Sequence, residues 1–390
     1  MKLKSLLFSL LCCFAASSLT AQNLTQENLV PYFNYSSDDL DQLRKAPPSQ
    51  NFIRPSSIEK WDTALYSIMQ KPLIDGGGAR CAAYLYAAQR DAANLTFQLN
   101  YNNMGTLDPL SIKVIRLFVP EFRPQFMIES DDYSKVLSNI VFEKVKERFD
   151  DEQRKMKNYS EKKGEAFWSE SFPILGQRIG SCQPWLIHDI ENFRVQTPPS
   201  FESLIWLYGL TCIKEAQAKF TPEQIGIINY WAGLKGPESG NWIAILNNYL
   251  KKMPSQPFTI NQILFLRSIA AMGNVDALIV AFDSKYTFWV KRPHMRDPSI
   301  REIVFCPKHP SYPSAHSTVS AAFATLLSHY LPENSEEWRR LAIEAGQSRI
   351  WGGLHFVIDN EEGMIQGEKV GRSILNHLQL PSQPLHVTKE

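Results

Sequence analysis

The stretch Pro313-Ser314-Ala315-His316-Ser317-Thr318-Val319-Ser320-Ala321-Ala322-Phe323-Ala324-Thr325-Leu326-Leu327-Ser328-His329-Tyr330 decides how this chain is read. Val319, Phe323, Leu326, Leu327 and Tyr330 recur at helical spacing, which predicts a helix with one face against a core. Ser314 stands where an N-cap belongs. The open amides of the first turn then point at any anion placed there, assisted by the helix dipole.

Two further clusters flank this helix. Upstream, Lys285 and Arg292-Pro293 lie seven residues apart. On one helix that is nearly two turns, which predicts both cations on one side about 10 Å apart, with Pro293 ending or bending the helix. Downstream, Ser348-Arg349 is followed by His355 and Asp359. A helix is expected to open near Asn334-Ser335 and run toward Arg349, broken by Gly352-Gly353, with the next starting near His355. One turn separates His355 from Asp359, so the carboxylate is placed to accept the imidazole Nδ1–H and leave Nε2 as a free lone pair.

Helical periodicity extends over most of the chain from about Trp61. Leu137, Val141, Val145 and Phe149 recur every four residues, and the mixed charges from Glu143 to Lys163 read as a solvated face and exit. Apolar stripes follow at 202–218, 222–234, 241–252 and 260–290, punctuated by Pro198-Pro199 and Gly236-Pro237. Strand-like alternation is scarce, and no 20–50-residue repeat is present. Beyond the N-terminus no uninterrupted apolar segment is read as approaching membrane-spanning length. The expectation is an all-α protein, a soluble helical bundle.

The 390 residues carry 41 Lys+Arg against 40 Asp+Glu, a balance that excludes a general polyanion binder and so argues against nucleic acid as a partner. The balance is uneven locally: from Lys285 to Arg301 there are five Lys/Arg and one acid, Asp297. Such a concentration focuses positive potential on one place.

Lys2 and Lys4, an apolar run from Leu6 to Ala16 and a small-residue exit describe a signal peptide over 1–21 cleaved near Ala21, hence a secreted or periplasmic chain. Cys81, Cys182, Cys212 and Cys306 then remain, and an oxidising compartment permits up to two disulfides among them. Residues 22–60, polar with Pro47-Pro48 and Pro55, read as a loosely ordered extension. Residues 61–385 read as one helical domain with a catalytic core at about 264–380.

Singly, each cluster has a bland reading: surface cations, a satisfied histidine, a structural His–Asp bond. Together they bring three cations, helix N-terminal amides, one histidine able to move protons and one oriented histidine. That inventory suits a tetrahedral oxyanion, with donors around its equator and an imidazole on its axis.

Lys285-x6-Arg292-Pro293, Pro313-Ser314-Ala315-His316 and Ser348-Arg349-x5-His355-x3-Asp359 together resemble the three-part signature of type 2 phosphatidic acid phosphatases, bacterial acid phosphatases and vanadium-dependent haloperoxidases. Asp276-Ala277 through Phe282-Asp283, Gln183-Pro184-Trp185, Pro198-Pro199-Ser200-Phe201, Tyr230-Trp231 and Trp242 are similar to the soluble haloperoxidase branch, so the resemblance spans roughly 180–380. It implies a helical bundle that holds the anion site between its helices. His355 is then the axial vanadium ligand, oriented by Asp359. Lys285, Arg292, Arg349, Ser314 and the Ala315 N–H bind the oxyanion, and His316 handles protons. His309 matches a position where bromide-oxidising members resemble this chain and chloride-oxidising ones carry an aromatic. Ala315 departs from the usual glycine; its amide still serves if φ stays negative, although the methyl crowds the pocket.

Three functions follow from these residues. The leading expectation is a vanadate-dependent haloperoxidase-like enzyme using peroxide and a halide, bromide favoured. The second is a secreted acid phosphatase that needs no cofactor, forms a phosphohistidine at His355 and takes its leaving-group proton from His316. The third is a non-enzymatic oxyanion-binding protein, against which the acid/base pair argues. Partners are small molecules in the first two; the oligomeric state is not legible.

Overall fold

A computed structural model describes residues 31–46, 55–71, 74–99, 106–169, 173–236, 238–253 and 258–379. The expected signal peptide lies outside them. Among the described residues the regular structure is helical, apart from one isolated bridge between Phe167 and Val290.

The N-terminal half is built from α1 (Ser37–Lys45), α2 (Pro55–Met69), α3 (Gly77–Gln98), α4 (Asp108–Phe118) and α5 (Asp132–Lys155). The middle carries α6 (Leu204–Ala218), α7 (Pro222–Trp231), α8 (Trp242–Lys252) and α9 (Ile260–Phe288). The C-terminal part holds α10 (Pro293–Arg296), α11 (Ala315–Tyr330), α12 (Ser335–Trp351) and α13 (Val357–Gln379). Local chemistry sets many of the starts. Asp131, Thr221 and Thr259 close capping boxes on α5, α7 and α9, and Ser314 caps α11 by accepting from the Ser317 amide.

α9 is the central element, packed against α3 on one side and α11 on the other; α11 in turn packs on α12 and α13. Arg267 and Asp276 keep α9 from being an uninterrupted apolar segment, as the sequence reading has it. α9 is long and apolar enough to cross a membrane, but 89% of its most apolar window is buried inside the protein. Its polar residues have internal partners. Asp276 accepts the backbone amides of Trp185, Leu186 and Ile187, and Asp283 receives Arg194 and the Tyr159 hydroxyl. The upstream segment around Trp185 is thereby fastened to the helix that leads to Lys285.

Two expectations change. Part of the extension 22–60, read as loosely ordered, is firmly held: α1 is capped by Ser36, and Asp91 of α3 accepts the amides of Tyr32 and Phe33 and the Tyr35 hydroxyl. The charged run 143–163 is also not wholly a solvated face. Glu152 is fully buried and receives Arg80 and the Tyr84 hydroxyl. A four-residue period shows a helix but cannot show that a second helix covers one of its polar residues. The four remaining cysteines form no disulfide.

α13 approaches α11 closely because Gly363, Gly367 and Gly371 line its contact face. A Cβ on Gly363 would lie 2.7 Å from the Ser314 carbonyl oxygen, one on Gly371 would lie 2.7 Å from Thr325 Cβ, and one on Gly367 would collide with the Thr318 carbonyl. This contact carries the start of α13, with Asp359, against the start of α11: the Ser314 amide donates to the Asp359 carbonyl at 2.8 Å.

Candidate active site

The three clusters converge where α9, α11, α12 and α13 meet. His355 precedes α13 and Asp359 lies in its first turn, so the pair forms at a helix start rather than along one helix face. His355 Nδ1 is 2.9 Å from Asp359 Oδ2, which also accepts the Phe356 amide at 3.1 Å and the Ser311 hydroxyl. The expected His–Asp contact is therefore present. Ser311, which the sequence reading missed, braces the same carboxylate and lies 3.3 Å from His355 Nδ1. Flanking prolines mark its loop as rigid, but nothing in the sequence singles out its hydroxyl.

The expected free lone pair on Nε2 is corrected. Arg292 Nη1 donates to Nε2 at 3.0 Å. A guanidinium only donates, so Nε2 is unprotonated and the ring proton sits on Nδ1. Burial, then Arg292 and Lys285, holds the His355 pKa well below its ordinary value, so the ring is neutral. Burial raises the Asp359 carboxyl to about 6, with the Ser311 hydrogen bond and Lys285 opposing.

Arg292 is not on the helix of Lys285. α9 ends at Phe288 because Trp289 adopts φ 56°, and Arg292 becomes the residue that opens α10. Off the helix and fully buried, it ties two histidines together. Besides His355 it donates to the carbonyls of His309 and Leu354 and, through Nη2, to His309 Nδ1 at 3.0 Å. The same nitrogen also lies 3.1 Å from the Pro310 carbonyl oxygen, so His309 Nδ1 sits between a donor and an acceptor. The His309 pKa is pushed well down by burial and the two nearby cations.

Lys285 is also fully buried. Its Nζ donates to the carbonyls of Pro310 (3.0 Å), Ser311 (2.6 Å) and Pro313 (2.5 Å), which fills its three donors. Lys285 therefore shapes the loop that carries His309 and Ser311. Burial and Arg292 push its pKa well down, while three accepting carbonyls call for the three N–H groups of the ammonium. Arg349 donates to the Ile228 carbonyl and the Ser348 hydroxyl, and burial lowers its pKa to about 10.

His316, half-buried at the start of α11, brings Nε2 within 3.1 Å of the Trp231 carbonyl. A carbonyl only accepts, so Nε2 carries the proton and Nδ1 the lone pair. Burial and Arg349 lower the His316 pKa to about 3. Ser314 Oγ accepts from the Ser317 amide at 3.3 Å, which leaves its hydroxyl proton to donate. Ala315 begins α11 and is absent from the described positive-φ residues, so the condition set for its amide is met.

His309, Ala315, His316, Arg292, Arg349 and His355 line a cavity of about 470 Å³. Its other walls are mostly apolar and include Trp231, Trp242, Phe282 and Phe305. Lys285, Ser314 and Asp359 are not on its surface and act from behind it. Three buried cations surround His355, with Asp359 the carboxylate that offsets them. Surplus buried positive charge of this kind calls for a bound anion. A neutral imidazole facing that charge completes the donor set for vanadate or a phosphoryl group, so the residues present fit either.

Residues 264–379 match the model of the PAP2 superfamily, the superfamily that the three-part signature resembles. No curated protein sequence matches the chain. Among solved structures, a bacterial vanadium-dependent iodoperoxidase is similar in fold, with TM-score 0.64, 18% identity, 86% of this chain covered and 99% of that one. A bacterial vanadium-dependent chloroperoxidase in its apo form gives TM-score 0.53 and 13% identity, with 90% and 93% covered. The fold is the helical fold of these enzymes.

Proposed function

We propose that this chain, with PAP2 superfamily sequence over 264–379 on a haloperoxidase-like fold, oxidises a halide with hydrogen peroxide at a vanadate held by His355. The observation that carries this reading is the neutral His355 ring. It is fixed by Asp359 on one nitrogen and presents the other, unprotonated, to Arg292 among three buried cations. His355 Nε2 would hold the vanadium. Lys285, Arg292, Arg349, Ser314 and the Ala315 amide would balance the charge on its oxygens. Bound vanadate supplies the activation of peroxide toward halide.

The chain's own residues prepare that chemistry. Arg292 donates to both His355 and His309, so an entering anion competes with these histidines for its N–H groups. His316 is a neutral base with its lone pair on Nδ1, suited to take the first proton from hydrogen peroxide. Trp231, Trp242 and Phe282 give the cavity an apolar wall with room for an organic acceptor, and Phe305 lies exposed at its mouth. His309 on the cavity wall supports bromide as the favoured halide. The N-terminal residues support a secreted or periplasmic enzyme.

A second reading, hydrolysis of phosphate monoesters, is favoured by the PAP2 match itself. There His355 Nε2 bonds to phosphorus as the ester P–O bond breaks, and His316 must already be protonated to give its proton to the leaving alcohol. The depressed His316 pKa runs against that order. The test sets purified protein with vanadate, peroxide and bromide, followed by bromination of a dye, beside phosphate-ester hydrolysis without vanadate. Bromination lost in His355→Ala is expected; ester turnover without bromination would reject the leading reading.

A further inference from the structure

The loop between α10 and α11 carries a second cluster that the oxyanion chemistry does not use. His294, Glu302 and Cys306 bring one ligand atom each to within 4.8 Å of the others. His294 Nδ1 lies 2.6 Å from Glu302 Oε1, and the Cys306 thiol is buried. His294 sits on α10, two residues after Arg292, and Cys306 immediately precedes Pro307, whose carbonyl lies 3.5 Å from Arg292 Nη2. One imidazole, one carboxylate and one thiol thus tie α10 to the middle of the loop that closes one wall of the cavity.

We propose that His294, Glu302 and Cys306 form a zinc site that braces this loop. The donor set selects the ion. A thiolate with an imidazole disfavours magnesium and calcium, which take oxygen ligands, and mixed sulfur, nitrogen and oxygen donors suit tetrahedral Zn²⁺. Three protein ligands leave a fourth position, and the exposed Glu302 side faces the solvent that supplies it. On binding, the Cys306 thiol gives its proton to solvent and its sulfur bonds to the metal, with no change in oxidation state.

Such a brace adds to the contacts that already hold the loop, whose last part is fastened to Lys285 through the carbonyls of Pro310, Ser311 and Pro313. Around Glu302 the backbone is fixed, because the Gln217 side chain bonds the Arg301 amide and carbonyl and the Ile303 amide donates to the Gly352 carbonyl. Val304, Phe305 and Pro307 then form cavity wall, and Phe305 is 75% exposed. A metal on Cys306 fixes the residue beside that phenylalanine, so it sets the cavity mouth without touching the oxyanion site.

The test uses the full chain, reduced and freed of metal, then loaded with Zn²⁺ or with Co²⁺ as a spectroscopic probe. Wild type should retain one zinc per chain and show a thiolate-to-cobalt charge-transfer band. Cys306→Ser should abolish that band, and His294→Ala and the exposed substitution Glu302→Gln should each weaken zinc binding by about tenfold or more. His355→Ala should bind zinc like wild type, which separates this site from the histidines of the cavity. Failure to retain zinc overturns the proposal. So does zinc retained equally by Cys306→Ser and Glu302→Gln, or zinc lost in His355→Ala.

Discussion

Arg292 Nη1 donates to His355 Nε2 across 3.0 Å while Asp359 Oδ2 takes the other nitrogen at 2.9 Å, so the imidazole is fixed from both ends. The same guanidinium reaches His309 Nδ1 at 3.0 Å. Two histidines and three loop carbonyls share one planar donor.

Replacing Arg292 by Lys keeps the charge and loses that fork, because an ammonium cannot hold two imidazoles at once. Vanadate affinity, followed by isothermal titration, should fall by at least about tenfold. Affinity within twofold of wild type would mean that charge alone matters.

Asp359→Asn should act through the His355 ring. The amide can still offer one oxygen to Ser311, Phe356 and His355, which all bond Oδ2, but it loses the negative charge that strengthens these bonds and offsets the buried cations. A loss of roughly 10–100-fold in vanadate affinity is expected, as for other groups that orient a ligating histidine. The wild-type affinity should also fall as the pH drops through about 6, where Asp359 takes up a proton. The variant should lack that step.

His316 makes a prediction about stability and pH. Its pKa is lowered to about 3 in the folded chain, against about 6.5 when unfolded. The unfolded state therefore binds the proton first. The contribution of neutral His316 is intact above pH ~6.5 and declines as the pH falls toward ~3. His316→Gln retains a donor for the Trp231 carbonyl and does not titrate. The wild-type melting temperature should fall relative to this variant between about pH 7 and pH 4. A constant difference would contradict the neutral, buried ring.

The glycine contact is testable in the same way. Gly367→Ala pushes a methyl into the Thr318 carbonyl and should destabilise by roughly 1–3 kcal/mol in urea unfolding. Gly226→Ala on α7 meets nothing within 4 Å and should be neutral or stabilise by up to about 1 kcal/mol. Equal effects at both positions would remove the packing argument.

The helices α5 to α9 and α11 to α13 were legible in the sequence, because apolar period, capping side chains and glycine breaks are local signals. So were Ser314 as cap, the His355–Asp359 contact and the inventory of cations, all set by short spacings. Other features were not legible. Arg292 leaves the helix of Lys285 because Trp289 turns to a positive φ, which an apolar stripe running to 290 does not reveal. Lys285 turns to the carbonyls of 310–313, Ser311 reaches Asp359, His316 finds the Trp231 carbonyl and Glu152 is covered by Arg80. Each of these joins residues at least 25 positions apart. Sequence alone determined which groups exist and which helix carries most of them. Tertiary packing decided which nitrogen bears a proton and which cation holds which histidine, because a hydrogen bond depends on ångström distances that local periodicity does not encode.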